Sequence, residues 1–361
     1  MRLDDLVRWV LSAFLVTAML PLLQAEAAST VASPSEPPVP IPHPTTMLLR
    51  AEAVHADLAL GRDQVRQAKT LVEAVELPLW RLRNAPPEER NPAARALLQS
   101  LRTRLSSILT LRQLDRLDEL IVQALGVQAL LEPRVAATLD ISAGQKTRLH
   151  AAFRAVAEKA NRIPTTQAGA VQKILALLTQ SQRQTLAGLM GEPFDFTRVP
   201  RIACRAPELT GVSEWVNTSP LTLEQLRGKV VALHFYAFGC INCVRNLPHY
   251  DAWHEDFAGE DFVVLGIHRP ETQTERNIEK VRRKASEAGM DYPIAIDNES
   301  HNWDAWVNGV WPSVYLIDKN GFVRYWWYGE LNWQGTPGEQ WMRQRITELL
   351  AEPAGGRAGT G

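Results

Sequence analysis

Cysteine is scarce in this 361-residue chain: there are three, Cys204, Cys240 and Cys243. Three cannot build the framework of staples that holds small exported domains together, so the fold must rest on hydrophobic cores. No second CxxC accompanies Cys240 and Cys243, which leaves a four-cysteine zinc site without ligands. An excess of one charge is also missing. With 39 Lys and Arg against 40 Asp and Glu, the net charge of -1 argues against a nucleic-acid binder. Nor is there an apolar run of membrane-spanning length. The run from Trp9 to Leu23 is about 15 residues and is broken by Pro21, against the roughly 20 that a bilayer requires.

What is present falls into segments. Residues 1–28 read as an export signal: Arg2 and Arg8, then the apolar run, then an A-x-A site at Ala25-Glu26-Ala27. The expectation is an exported chain, periplasmic, soluble or held by an N-terminal anchor. Residues 29–45 carry six prolines and read as an extended, polyproline-like spacer with too little apolar surface to fold. Residues 46–196 read as an all-helical domain. Val65, Ala68, Val72, Val75 and Leu79 recur at helical spacing. Asn91-Pro92 reads as the start of a long helix whose stripe runs from Leu98 through Leu105, Ile108 and Leu111 to Leu125, with Gly126 ending it. A weak repeat places Ser142 three residues before Gln145 and, 37 residues on, Thr179 before Gln182. Both are capping-box patterns. They resemble the LTxxQ motifs of small helical periplasmic proteins of the Spy and CpxP kind. This region holds about seven more basic than acidic residues, so an unknown protein partner or an anionic surface is a candidate ligand for it.

Residues 207–351 read as α/β. Val230–Phe235 and Phe262–His268 are apolar, β-branched strands, and a charged helix follows from about Thr274 to Ala288. Val314–Ile317 and Phe322–Trp327 form a hairpin around Asp318-Lys-Asn-Gly321, a last helix spans Gly338–Leu350, and residues 352–361 read as a disordered tail. The first strand runs through a turn into Cys240 and Cys243 at a helix start. That layout sets a cysteine on the positive end of a helix dipole, and a spacing of three keeps both sulfurs on one face. Cys240 is the expected attacking thiolate and Cys243 the resolving thiol, with no cofactor needed. A copper or zinc site would recruit His249, His268 or Cys204 to the pair. A peroxidase would centre on a lone cysteine in a different motif.

Several motifs in order resemble the thioredoxin-fold family in its exported TlpA-like branch, and the thioredoxin-like segment of DipZ-type proteins in particular. They are FGCINC (Phe238–Cys243), VLGIHRPE (Val264–Glu271), YPIAIDN (Tyr292–Asn298) and WPSVYLIDKNGFVRYWWYGE (Trp311–Glu330). The resemblance implies a thiol-disulfide oxidoreductase acting on protein substrates, reductase rather than oxidase, fed by a membrane electron donor. It also implies that Pro312, 69 residues after Cys243, is a cis-proline facing the disulfide. Trp311 and Ser313 would then offer backbone to a substrate strand, and Phe238 and Gly239 would border the sulfurs. His234 stands where many thioredoxins have a buried Asp, and is a candidate proton acceptor for the second thiol or a core histidine. Asn246 stands where some exported reductases have Glu.

Overall fold

The computed structural model describes residues 36–160 and 167–354. The expected export signal, the spacer before Glu36 and residues 355–361 of the expected tail lie outside the described residues. The chain divides after Arg201 into two compact units. Among the described residues, no helix is long and apolar enough to cross a membrane.

The first unit is helical: α1 (Pro44–Arg50), α2 (Glu52–Asp57), α3 (Arg62–Arg81), α4 (Pro87–Leu105), α5 (Leu111–Leu125), α6 (Pro133–Thr138), α7 (Ala143–Ala160), α8 (Gln167–Leu175) and α9 (Gln180–Met190). Two expectations are corrected here. The stretch Leu98–Leu125 is two helices, because Thr110 caps a new one by accepting the Gln113 N–H. Leu111, counted in the apolar stripe, is consequently 80% exposed. Pro92 lies inside α4, which starts five residues earlier at Pro87. Asn91 is no helix cap: its side chain accepts the Val39 N–H and donates to the Pro37 carbonyl. That bond belongs to the second correction. Residues 36–45 do not float as a spacer but pack on the helices, with Val39 in the core, Ile41 buried and Glu36 paired with Arg95.

The repeat proves wider than its two legible copies. Gln145 and Gln182 donate to each other's side-chain carbonyl at 2.9 and 3.2 Å. Gln64 and Gln113 do the same at 2.9 and 3.3 Å. The second glutamine of each pair also donates to equivalent loop carbonyls, Leu58 for Gln113 and Leu139 for Gln182. In both loops the next residue, Ala59 or Asp140, has φ of 49°. The helical unit thus holds one arrangement twice, each copy joining the starts of two helices through a reciprocal amide pair.

The second unit is a mixed α/β layer structure: β1 (Cys204–Arg205), β2 (Glu214–Val216), β3 (Val230–Tyr236), α10 (Ile241–Asp256), β4 (Phe262–His268), α11 (Ile278–Glu287), β5 (Ile294–Ile296), α12 (His301–Ala305), β6 (Ser313–Ile317), β7 (Phe322–Tyr328) and α13 (Gly338–Ala351). The strand order is β1-β7-β6-β3-β4-β5-β2, with β3–β4 and β4–β5 parallel and the other pairs antiparallel. The terminal strands β1 and β2 carry no sequence signal because two or three residues cannot show a period. Cys204, expected in a connector, is instead a buried residue of β1 opposite Val323.

Every residue of β3 is buried, as a central strand covered on both faces requires. Alternation sends Ala232 and Tyr236 into a cluster with Leu247, Tyr250 and Trp253 of α10 and Met342 and Ile346 of α13. Phe235 points the other way, onto Trp303 and Trp306. The carboxyl end of β3 therefore emerges at one rim of the sheet, directly into the CxxC turn.

Gln182→Ala is expected to lower the stability of the helical unit by about 1–2 kcal/mol, since it strands a loop carbonyl and a helix-start N–H. Adding Gln145→Ala should cost less than that again, because the two side chains share their bonds. Urea transitions followed by far-UV circular dichroism check this, and unchanged midpoints would mean the amide pair stabilises nothing.

Candidate active site

The site is built where β3 ends. Ala237, Phe238 and Gly239 turn the chain, and Cys240 becomes the N-cap of α10 with extended backbone (φ -76°, ψ 108°). Its Sγ accepts the Cys243 N–H at 3.3 Å, the place a cap hydroxyl or carboxylate normally takes. Cys243 is 1% exposed and packs with Tyr236 and Tyr250, while Cys240 is half-buried at the rim. These positions separate two identical side chains. The hydrogen bond from the Cys243 thiol, helped by backbone N–H groups at the helix head, lowers the Cys240 pKa to about 7 against the opposing effect of burial. The same bond and burial push Cys243 far up. One sulfur is thus an accessible thiolate near neutral pH and the other a protected thiol. Ile241, 61% exposed, and Val244 form an apolar surface beside them.

The Trp311–Pro312 peptide is cis. Ser313 pairs with Phe235 of β3, so Pro312 lies level with the end of β3, and Trp311, Phe238 and Cys240 border the same cluster. Ser313 itself does not offer a free edge, and that expectation is corrected. It lies between Phe235 and Tyr328 inside the sheet, its hydroxyl is bonded to Asn308, and the Pro312 carbonyl accepts the Gly329 N–H at 2.8 Å. Trp311 remains at the rim, half-buried, its ring tilted against Trp303 with centroids 4.1 Å apart and the Arg269 guanidinium over it at 4.7 Å. Phe238 stacks on His268.

His234 does not reach the dithiol through a hydrogen bond. It is fully buried, stacked on Tyr250 at 4.2 Å and flanked by Tyr236 and Tyr292. Burial drives its pKa down to about 3, so it is a neutral aromatic at working pH and a poor base. Asn246 also serves structure: it donates to Tyr250 and the Gly329 carbonyl and accepts the Leu331 N–H, tying α10 to the loop after β7. Among the described residues, no group of three or more His, Cys, Asp or Glu could hold a metal ion.

Two carboxylates escaped sequence reading. Glu271 places a negative charge near both site cysteines and pushes the pKa of each upward, an effect that ranks behind their mutual bond and burial. Glu275 accepts the N–H of Gly239, the residue before Cys240, at 2.7 Å. The signal available was Thr272-x-x-Glu275, a capping-box pattern that straddles the start of what reads as one charged helix from about Thr274. The structure resolves that stretch into a 3-10 turn (Gln273–Arg276) and α11.

Residues 202–326 match the AhpC/TSA family model. Protein DipZ of Mycobacterium tuberculosis is 39% identical over 146 residues, which are 40% of this chain and 21% of that protein. The thiol-disulfide oxidoreductase YkuV of Bacillus subtilis is 29% identical over 147 residues, 40% of this chain and 94% of that protein. A solution structure of a thioredoxin-like protein in the oxidized form shares 28% identity, covering 41% of this chain and 95% of its own, with a TM-score of 0.36. The chain spans about a fifth of the length of the DipZ proteins it matches.

The lowered Cys240 pKa carries a stability consequence with a definite sign. Between its folded value of about 7 and its ordinary value of 9.0, the folded chain holds a thiolate where the unfolded chain holds a thiol. Reduced protein should therefore gain stability as pH rises through that window and lose the gain as pH falls back through 7. The urea midpoint difference between the reduced chain and Cys240→Ser, measured from pH 6 to 9, should widen upward. A flat difference would mean the thiolate is not stabilised.

Proposed function

We propose that this protein, whose second unit is similar to the AhpC/TSA family model, to DipZ and to the thiol-disulfide oxidoreductase YkuV, is an exported reductase of protein disulfides. One observation carries the reading: two cysteines on one helix start, the outer held as a thiolate by the inner one's N–H and thiol, the inner kept protonated and buried.

The Cys240 thiolate attacks one sulfur of a client disulfide. A mixed disulfide forms and the first client sulfur leaves as a thiolate. Cys243 then gives up its proton to the departed client thiolate and attacks the Cys240 sulfur, releasing the second client thiolate and leaving the Cys240–Cys243 disulfide. The client gains two electrons and the dithiol loses two. A dithiol donor held at the membrane returns them by the reverse exchange. Accumulated charge sets the order of events: proton loss from Cys243 becomes easy only once the neighbouring thiolate has been consumed in the mixed disulfide. Trp311, Ile241 and Val244 supply an apolar surface for the client chain on either side of the sulfurs.

Equilibration of the Cys240–Cys243 pair with glutathione should give a potential near about -270 mV, as for a reductant of the thioredoxin kind. A value near about -120 mV would reverse the proposed direction. Cys243→Ala should accumulate the mixed disulfide with a disulfide client, and Cys240→Ala should reduce turnover to background. Turnover retained without Cys240 would end the scheme.

A further inference from the structure

One buried carboxylate ties together the two loops beside the dithiol. Glu275 is 3% exposed. Its Oε2 accepts the N–H groups of Glu271 and Thr272, both at 2.8 Å, and the Thr272 hydroxyl at 3.2 Å. Those bonds close its own capping box. The other oxygen does something different: Oε1 reaches 36 residues back to accept the Gly239 N–H at 2.7 Å. Gly239 is needed for that approach, since a Cβ there would lie 2.6 Å from Oε1. These bonded neighbours are all donors, so an ionised carboxylate satisfies them, and an amide or a protonated acid would set a donor against a donor. Burial alone would raise the Glu275 pKa, but the N–H groups of Thr272, Gly239 and Glu271 outweigh it and hold it below the usual range.

We propose that Glu275 is a positioning residue of the dithiol: by anchoring the Gly239 N–H it sets the turn that presents the Cys240 sulfur to the Cys243 N–H. This rests on the redox reading of Cys240 given above. Through the Glu271 N–H the same carboxylate fixes the loop that carries the Glu271 charge, so turn and loop hold one mutual geometry. His268, the last residue of β4, and Arg269 just beyond it flank that loop, and Arg269 partly offsets the Glu271 charge.

Charge and anchoring have opposite signs here, which makes them separable. Acting only as a negative charge, Glu275 would hinder thiolate formation, and its removal would lower the Cys240 pKa, as Glu271→Gln should. Acting as an anchor, its loss lets the turn relax and weakens the N–H···S bond, which raises that pKa. The test is the pH dependence of iodoacetamide alkylation of the reduced full chain, with the modified cysteine located by mass spectrometry and folding checked by circular dichroism. Glu275→Gln is expected to move the Cys240 midpoint up by about one unit or more. Gly239→Ala, which pushes the carboxylate off its donor, should move it the same way, and the double variant should add little. A midpoint that stays or falls in Glu275→Gln overturns the proposal. Should that variant fail to fold, Gly239→Ala decides in the same terms. A wild-type chain that forms no reversible Cys240–Cys243 disulfide overturns the redox reading itself, whereas a cycling wild type with unmoved variants overturns this inference alone.

Discussion

The bond from the Cys243 N–H to the Cys240 sulfur is a helix-capping interaction made by a poor capping residue. Sulfur is a weak acceptor as a thiol and a good one as a thiolate, so the cap is worth most when Cys240 is ionised. Helix geometry and acid–base chemistry are thereby the same interaction read from two sides. It persists only if α10 starts at Ile241, and that start is held from below. Tyr250 and Trp253 bury one face of the helix against β3, and Asn246 pins its second turn to the loop after β7. The fully buried β3 supplies the rigid base from which the turn departs.

The aromatic environment of the site completes this division of labour. Burial makes His234, Tyr236 and Tyr250 reluctant to carry charge, so the region under Cys243 is apolar in effect though it is built from polar side chains. A thiol there keeps its proton. Two carboxylates stand on the loop after β4, where Glu271 bears on both sulfurs and Glu275 bears on the turn.

Much of the second unit was legible because its signals are local. Val230–Phe235 and Phe262–His268 are unbroken apolar runs, and the CxxC sits on a recognisable strand-to-helix junction. What could not be read depends on partners distant in the chain. Nothing near His234 says that it will stack on Tyr250, and nothing near Ser313 says that strands will occupy both of its sides. In the helical unit the apolar spacing from Leu98 to Leu125 runs on through a break, since periodicity is blind to a cap. Thr110-x-x-Gln113 was the stronger signal, and it lay inside the stripe. Val39 and Ile41 were outnumbered by prolines, yet they are buried together with His43, and Asn91 and Arg95 bond the segment to the helices.

The doubled glutamine pair means that the helical unit carries its own relative within one polypeptide. Gln64 and Gln113 can be aligned with Gln145 and Gln182 position by position, and the differences between the copies separate the indispensable from the incidental. Three of the four helix starts have a hydroxyl cap, at Thr110, Ser142 and Thr179, whereas the fourth has Gly61 and no side chain there. The glutamine stands at all four. In this architecture the hydroxyl is an ornament of the helix start and the amide is its joint, a ranking that the chain supplies by comparison with itself.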